Sequence, residues 1–287
     1  MNKVKIGFIG QGWIGKNYAD NFEERGYEVV RYSLEPEYSD NGDKIQHCDI
    51  VFVAVPTPTI EEKFDFDLVD KVLCFVGKGK TAVIKSTVLP GTTETLQERH
   101  PEILVLHSPE FLTEKTAKYD AAYPDRNIIG YVDERGEKAA QAVMEVLPVS
   151  RYKAIIPAKE AEMIKYGGNC WFYFKVIYMN LLYDLCKKQG IDFETVKKGM
   201  SYDNRIGYTH LDPVHQGGRG AGGHCFIKDF AAFSTMYKEK VGDESGVEIL
   251  EMLEEKNVEL LLASNKSIDL LEEVYGKEEI SLHKKGE

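Results

Sequence analysis

Three features predict an α/β fold in which a doubly wound parallel sheet is followed by an all-helical region. Short β-rich runs alternate with helical patterns through the first half. A glycine-rich turn, Gly10 to Gly15, joins the first run to the first helical pattern. Beyond Pro157 the alternation stops, and no proline occurs from Ala158 to Gln189.

The strands are predicted at Val4–Ile9, Glu28–Tyr32, Ile50–Val55, Ala82–Lys85, Ile103–Leu106 and Ile128–Val132. Ile50–Val55 is apolar throughout, as expected of a strand covered on both faces. Ile14–Glu24 and Leu68–Val76 have helical character. Ala158–Gln189 reads as one long helix with Gly167 and Gly168 as its only glycines. Its large apolar residues occupy more than one stripe, so it is expected to pack on several sides, with Phe174 and Tyr178 facing outward. Gly190 should stop it, and Asp192 should cap the next helix. Ser201–His224 reads as a long functional loop, Val247–Tyr275 as a last helix, and the charged tail as frayed. The expected domains are 1–156 (dinucleotide-binding), 157–275 (helical, carrying the cysteine loop) and 276–287 (the tail).

Composition is that of an ordinary globular protein, with 43% hydrophobic and 29% charged residues. A net charge of −11 argues against a general binder of nucleic acid or membrane surfaces, but leaves an anionic small substrate open. Five cysteines without Cys-x-x-Cys spacing argue against a disulfide framework or structural zinc, and fit a reducing cytoplasm. No metal site is expected, because no His-Glu-x-x-His pattern occurs. No signal peptide and no membrane span are expected.

Cys225 is the leading candidate nucleophile. Five glycines between Gly217 and Gly223 precede it, including Gly222 and Gly223, and would let a ligand approach the backbone. Lys228 and Asp229 follow at what reads as a helix start, where a thiol tends toward thiolate. At the first turn, Gly10, Gly12, Trp13, Ile14 and Gly15 are the cofactor-binding candidates. Gly10 permits the turn, Gly12 admits a pyrophosphate, and Gly15 allows close helix packing. Ser33 holds the position where NAD enzymes usually carry an acid, and Arg31 lies nearby. NAD is favoured and NADP stays open. Val55-Pro56-Thr57-Pro58-Thr59 and Ser86-Thr87-Val88-Leu89-Pro90-Gly91-Thr92-Thr93 end two strands, where ligands bind in open sheets, although both also read as plain turns. Glu110 and Glu114, in Pro109-Glu-Phe-Leu-Thr-Glu114, could act on a water or hydroxyl or simply be solvated. Glu162, Lys165 and Asn169 share one helix face, and the last two could donate to a developing oxyanion.

Taken in order, these segments resemble the UDP-glucose/GDP-mannose dehydrogenase family. The set also includes Asp203-Asn-Arg-Ile-Gly207, which resembles the motif of its UDP-glucose 6-dehydrogenase branch, and Gly222-Gly-His-Cys-Phe-Ile-Lys-Asp229. The resemblance implies a Rossmann-like first domain and NAD-dependent oxidation of a nucleotide-sugar primary alcohol to the acid, through a thiohemiacetal and then a thioester on Cys225. It implies an oxyanion role for Lys165 and Asn169, a proton-managing role for Asp229 with Thr87 through water, and activation of the hydrolytic water by Glu114. Ser33, Pro56, Thr57, Thr87, Glu110 and Lys228 are assigned to the cofactor. Glu110, Phe111, Leu112, Glu114, Lys165, Asn169, Arg205, Arg219, Gly222 and Gly223 are assigned to the substrate. A homodimer built on Ala158–Gln189 is implied, with Arg205 reaching the partner's site. The family carries a further nucleotide-gripping domain, and the 58 residues after Asp229 are too few for it. The substrate half of the site is therefore expected to be incomplete, or supplied by a partner or by the loop Ser201–His224, where Arg219 is a candidate replacement.

Overall fold

The computed structural model describes residues 4–285. The chain divides into two compact units. The first is Met1–Pro58 with Asp65–Lys165, and the second is Thr59–Phe64 with Tyr166–Glu287.

In chain order the elements begin with β1 (Lys5–Ile9), α1 (Trp13–Glu24), β2 (Glu28–Tyr32), α2 (Gly42–Ile45) and β3 (Ile50–Val53). The short strands β4 (Thr59–Ile60) and β5 (Lys63–Phe64) form a hairpin, followed by α3 (Asp67–Val72). Next come β6 (Thr81–Ile84), α4 (Thr92–Arg99), β7 (Leu104–His107), α5 (Ala117–Ala122), β8 (Arg126–Tyr131), α6 (Glu134–Val146) and β9 (Tyr152–Pro157).

The first unit holds a seven-stranded sheet of order β2-β1-β3-β6-β7-β8-β9. It is parallel except between β7 and β8. β3 and β6 are buried throughout, which explains why their sequences are apolar apart from Thr81. β9 is an unanticipated strand. Half-exposed and ending at Pro157, it lies at the sheet edge, where a missing N–H does little harm. Phe8, Phe22 and Phe52 pack together between the sheet and α1. The strand order reverses between β1 and β3, so both the Gly10 turn and Val55-Pro56-Thr57 leave the carboxyl ends flanking that switch point.

α7 (Ala158–Gln189) runs unbroken through Gly167 and Gly168, and its limits are those the sequence predicts. Gly190, at φ +70°, ends it. α8 (Phe193–Ser201) follows, with Asp192 accepting from the Glu194 N–H at 3.2 Å as the expected cap. The expected loop contains a small hairpin, β10 (Val214–His215) with β11 (Gly218–Arg219). α9 (Gly223–Lys240), α10 (Glu244–Ala263), α11 (Ile268–Tyr275) and α12 (Lys277–Lys285) complete the chain.

Three expectations are corrected in the second unit. The last helix is two, because Asn265 and Ser267 are left-handed and break it. The tail is helical over Lys277–Lys285, with Ile280 buried against α9–α11 residues. Phe174 does not face outward. It packs edge-on against Phe230, whereas Tyr178 is 57% exposed as expected. The β4–β5 hairpin joins this unit by donating Glu61 and Glu62 N–H groups to the last carbonyls of α11, at 3.3 and 2.9 Å.

Candidate functional site

In the first unit the glycine turn is built as its spacing requires. Gly10 sits at φ +92°, and a Cβ there would overlap the Ala54 carbonyl. A Cβ on Gly15 would overlap the carbonyl oxygen of Gly10. Gly12 differs, because a Cβ there meets no atom within 4 Å. Gly12 is also the N-cap of α1, with no side-chain cap and no acid in the first turn. The residues therefore fit a dinucleotide pyrophosphate: uncapped N–H groups, a favourable helix dipole and open space over Gly12.

The two threonine-rich strand ends tie to each other. Thr57 Oγ1 donates to the Thr87 carbonyl at 2.7 Å, and Ser86 Oγ donates to that of Val55 at 2.6 Å. Thr57 and Thr87 are both buried, so these segments are more than plain turns.

Beyond β7, Glu110 is buried and accepts from Lys165 Nζ at 2.8 Å and from the Leu112 N–H at 2.7 Å. Lys165 also lies over the Phe111 ring, whose nearer cation is Arg126 at 3.7 Å. Glu114 is exposed. Glu162 does not join this group. It accepts from the Gly91 N–H and from the Thr93 N–H and hydroxyl, capping the start of α4, and burial pushes its carboxyl up to about 7.

Two residues of this region escaped the sequence reading. Lys85, at the end of β6, is buried with Nζ 3.3 Å from Ser108 Oγ, 3.5 Å from the Pro109 carbonyl and 4.3 Å from the Tyr18 ring centroid. Burial pulls its ammonium down to about 7. His107 is wholly buried with neither ring nitrogen hydrogen-bonded, and burial beside Lys85 and Lys165 holds it down to about 3. The available signal was a lone lysine closing an apolar strand.

In the second unit Cys225 is exposed in the first turn of α9. Asp229, one turn on, is fully buried. It accepts from Asn169 Nδ2 at 2.6 Å and pairs with Lys228 at 2.5 Å. The glycines around the cysteine have mixed causes. Cβ atoms on Gly218 and Gly222 would crowd Ser264, Lys266 and Ser267, and one on Gly220 would meet Asn257 and Leu261. Those three clear space for α10 and its exit, not for a ligand. Gly223, at φ +83°, faces no neighbour within 4 Å. Asn257 fixes the loop through both the N–H and the carbonyl of Ala221, at 2.7 and 3.0 Å.

Arg219 is engaged internally, pairing with Asp184 at 2.8 Å and bonding the side chain and carbonyl of Asn180. Its expected grip on a nucleotide would require breaking those bonds. Arg205 is 90% exposed and pairs with Asp203, two residues before it. The structure thus gathers Glu110, Phe111, Leu112 and Lys165 in one unit, and Asn169, Cys225, Lys228 and Asp229 in the other. Among the described residues no helix is long and apolar enough to cross a membrane, and no His/Cys/Asp/Glu cluster could hold a metal.

Comparison with known proteins identifies the family. Residues 31–147 match the NAD binding domain of the UDP-glucose/GDP-mannose dehydrogenase family, and residues 159–259 match its central domain. The chain belongs to that family. Its first unit carries the family's NAD-binding domain, so NAD is the cofactor. A UDP-glucose 6-dehydrogenase of Rickettsia conorii is 32% identical over 226 residues, covering 76% of this chain and 50% of the relative. The chain spans about half the length of the curated relatives it matches. A UDP-glucose dehydrogenase structure from Pyrobaculum islandicum superposes with TM-score 0.75 at 27% identity, covering 88% of this chain and 68% of that one. A 3-hydroxyisobutyrate dehydrogenase from Mycobacterium tuberculosis has TM-score 0.71 over 95% of this chain and 98% of its own, at 14% identity. That last likeness concerns fold alone.

Proposed function

We propose that the chain oxidises the primary alcohol of a nucleotide sugar, of UDP-glucose type, to the carboxylic acid, through a covalent adduct on Cys225. The observation that carries this reading is the exposed Cys225 thiol one helical turn before buried Asp229, which holds Asn169 at 2.6 Å. Bound NAD supplies the hydride-accepting ring.

Asp229, with Lys228 beside it, manages the substrate proton and orients Asn169. Asn169 and Lys165 donate to the oxygen that gains negative charge as the carbonyl forms and is attacked. Cys225 adds to the aldehyde carbon, and the thiohemiacetal is oxidised to a thioester. Glu114 activates the water that releases the acid. Glu110 holds the Lys165 ammonium in position through the buried pair. Pro56, Thr57, Thr87 and Ser33 belong with the cofactor in this scheme.

The working unit we propose is a homodimer built on α7. Trp171, Tyr178 and Leu185 recur along it at intervals of seven and are 61%, 57% and 57% exposed. An apolar stripe of that kind marks an interface, and two-fold pairing is the commonest way to bury it. Arg205, exposed on the loop after α8, would then reach the partner's site.

The test is product analysis with a panel of UDP- and GDP-sugars. Two NADH per sugar and a uronic acid are expected. One NADH would indicate a simple alcohol dehydrogenase, and none a non-catalytic binder. Cys225→Ala should fold and bind NAD but yield no acid, and wild-type acid formation by this variant would remove Cys225 from the mechanism.

A further inference from the structure

The second strand ends on an arrangement that the proposed reaction leaves unused. Dinucleotide folds usually place an acid there to receive the ribose hydroxyls. This chain has Ser33, whose Oγ accepts from the Glu35 N–H at 3.2 Å. Arg31, two residues earlier, is the residue type that suits a phosphate on the ribose 2′-oxygen. Sequence alone therefore leaves the door open to NADP.

The guanidinium is already engaged. Nη2 donates to Asp20 and to Glu23, both at 2.7 Å, and Nε donates to Glu23 at 3.1 Å. Nη1 reaches Gln11 Oε1 at 3.3 Å. The Arg31 side chain is only 10% exposed, while its partners Asp20 and Glu23 are 38% and 48% exposed, so the arginine is held in place by pairs that water partly screens. Asp20 and Glu23 lie one turn apart on α1, and two carboxylates on one guanidinium leave it no free charge to offer a phosphate. Gln11 belongs to the glycine turn, so the same cation also steadies that turn. A cleft of about 550 Å³ beside these groups carries two further cations, Lys16 and Lys44, and one further acid, Glu37. Lys44 is held by Asn41 Oδ1 at 2.8 Å.

We propose that Asp20 and Glu23 form an acidic lock on Arg31 that selects NAD over its 2′-phosphorylated counterpart. The lock withholds the arginine, so it discriminates without the usual ribose-binding acid. The inference rests on the family reading of the first unit only for the presence of a dinucleotide.

The test is titration calorimetry of the intact chain with NAD and NADP, with circular dichroism to verify folding. Wild type should bind NADP at least tenfold more weakly than NAD. Asp20→Asn with Glu23→Gln frees Arg31 and should raise NADP affinity about tenfold or more, the worth of one charge-assisted bond. NAD affinity should stay within about twofold. Adding Arg31→Met should abolish the gain. The lock is overturned if wild type binds NADP as tightly as NAD, or if the double variant leaves the ratio unchanged. It is equally overturned if the gain survives Arg31→Met and vanishes with Lys44→Met. Should the double variant misfold, Glu23→Gln alone must move the ratio in the same direction, and an unchanged ratio overturns the idea. A wild-type chain that binds neither cofactor would refute the dinucleotide reading itself, and the lock with it.

Discussion

Gly12→Val separates cofactor binding from folding more cleanly than any other change in the glycine turn. Gly12 has φ −65° and ψ −173°, an extended conformation open to valine, and its Cβ would touch nothing within 4 Å. The fold should therefore lose no more than about 0.5–1 kcal/mol. The branched side chain would instead occupy the space over the uncapped first turn of α1. Displacing a pyrophosphate from two backbone N–H donors forfeits about 1.5–3 kcal/mol per charge-assisted bond. Together that is roughly 3–6 kcal/mol, or about a hundredfold to ten-thousandfold in Kd. Calorimetry with NAD reads the affinity, and a thermal melt reads the fold. Gly15→Ala is the contrasting control: its Cβ would overlap the Gly10 carbonyl, so the melting temperature itself should fall. NAD affinity within about threefold of wild type in Gly12→Val would show that the dinucleotide lies elsewhere. A melting temperature lowered as far as in Gly15→Ala would show that Gly12 serves packing.

Lys85→Met should stabilise the protein more at pH 6 than at pH 10. The folded-state pKa of Lys85 is depressed to about 7 from 10.5, so the lysine contributes stability above its unfolded pKa and loses it as pH falls toward 7. The difference between the two pH values, at most a few kcal/mol, is read from denaturant melts, and a pH-independent effect would mean that the ammonium is solvated. Trp171→Glu combined with Tyr178→Glu should convert the proposed dimer to a monomer in light scattering and lower activity with it, because each charge would enter the proposed apolar seam. A fully active wild-type monomer at micromolar concentration would refute both the interface and the role of Arg205 across it.

Which features were legible in the sequence follows from how local their physics is. The limits of α7, the Asp192 cap and the strain at Gly10 are set within a few residues, and each was readable. Lys85 and His107 were not, because their burial depends on β6 and β7 lying side by side under α1, which spacing does not encode. The break at residues 264–267 was hidden because Asn265 and Ser267 adopt left-handed conformations usually associated with glycine. The glycines before Cys225 show the limit most clearly. Seven residues containing five glycines look like space cleared for a ligand, yet Gly218, Gly220 and Gly222 are small because α10 and the segment after it press on them. Composition cannot separate the two causes, but the surroundings of a hypothetical Cβ can. At Gly12 and Gly223 that atom would meet nothing within 4 Å, so close packing against the chain's own atoms does not account for these two glycines. Open surroundings do not by themselves mark a site, because Gly79, Gly190 and Gly217 are equally open, and Gly223 also has a φ of +83° that glycine adopts readily. It is the place of Gly12 and Gly223, in the cofactor turn and at the start of the cysteine helix, that fits the proposed chemistry.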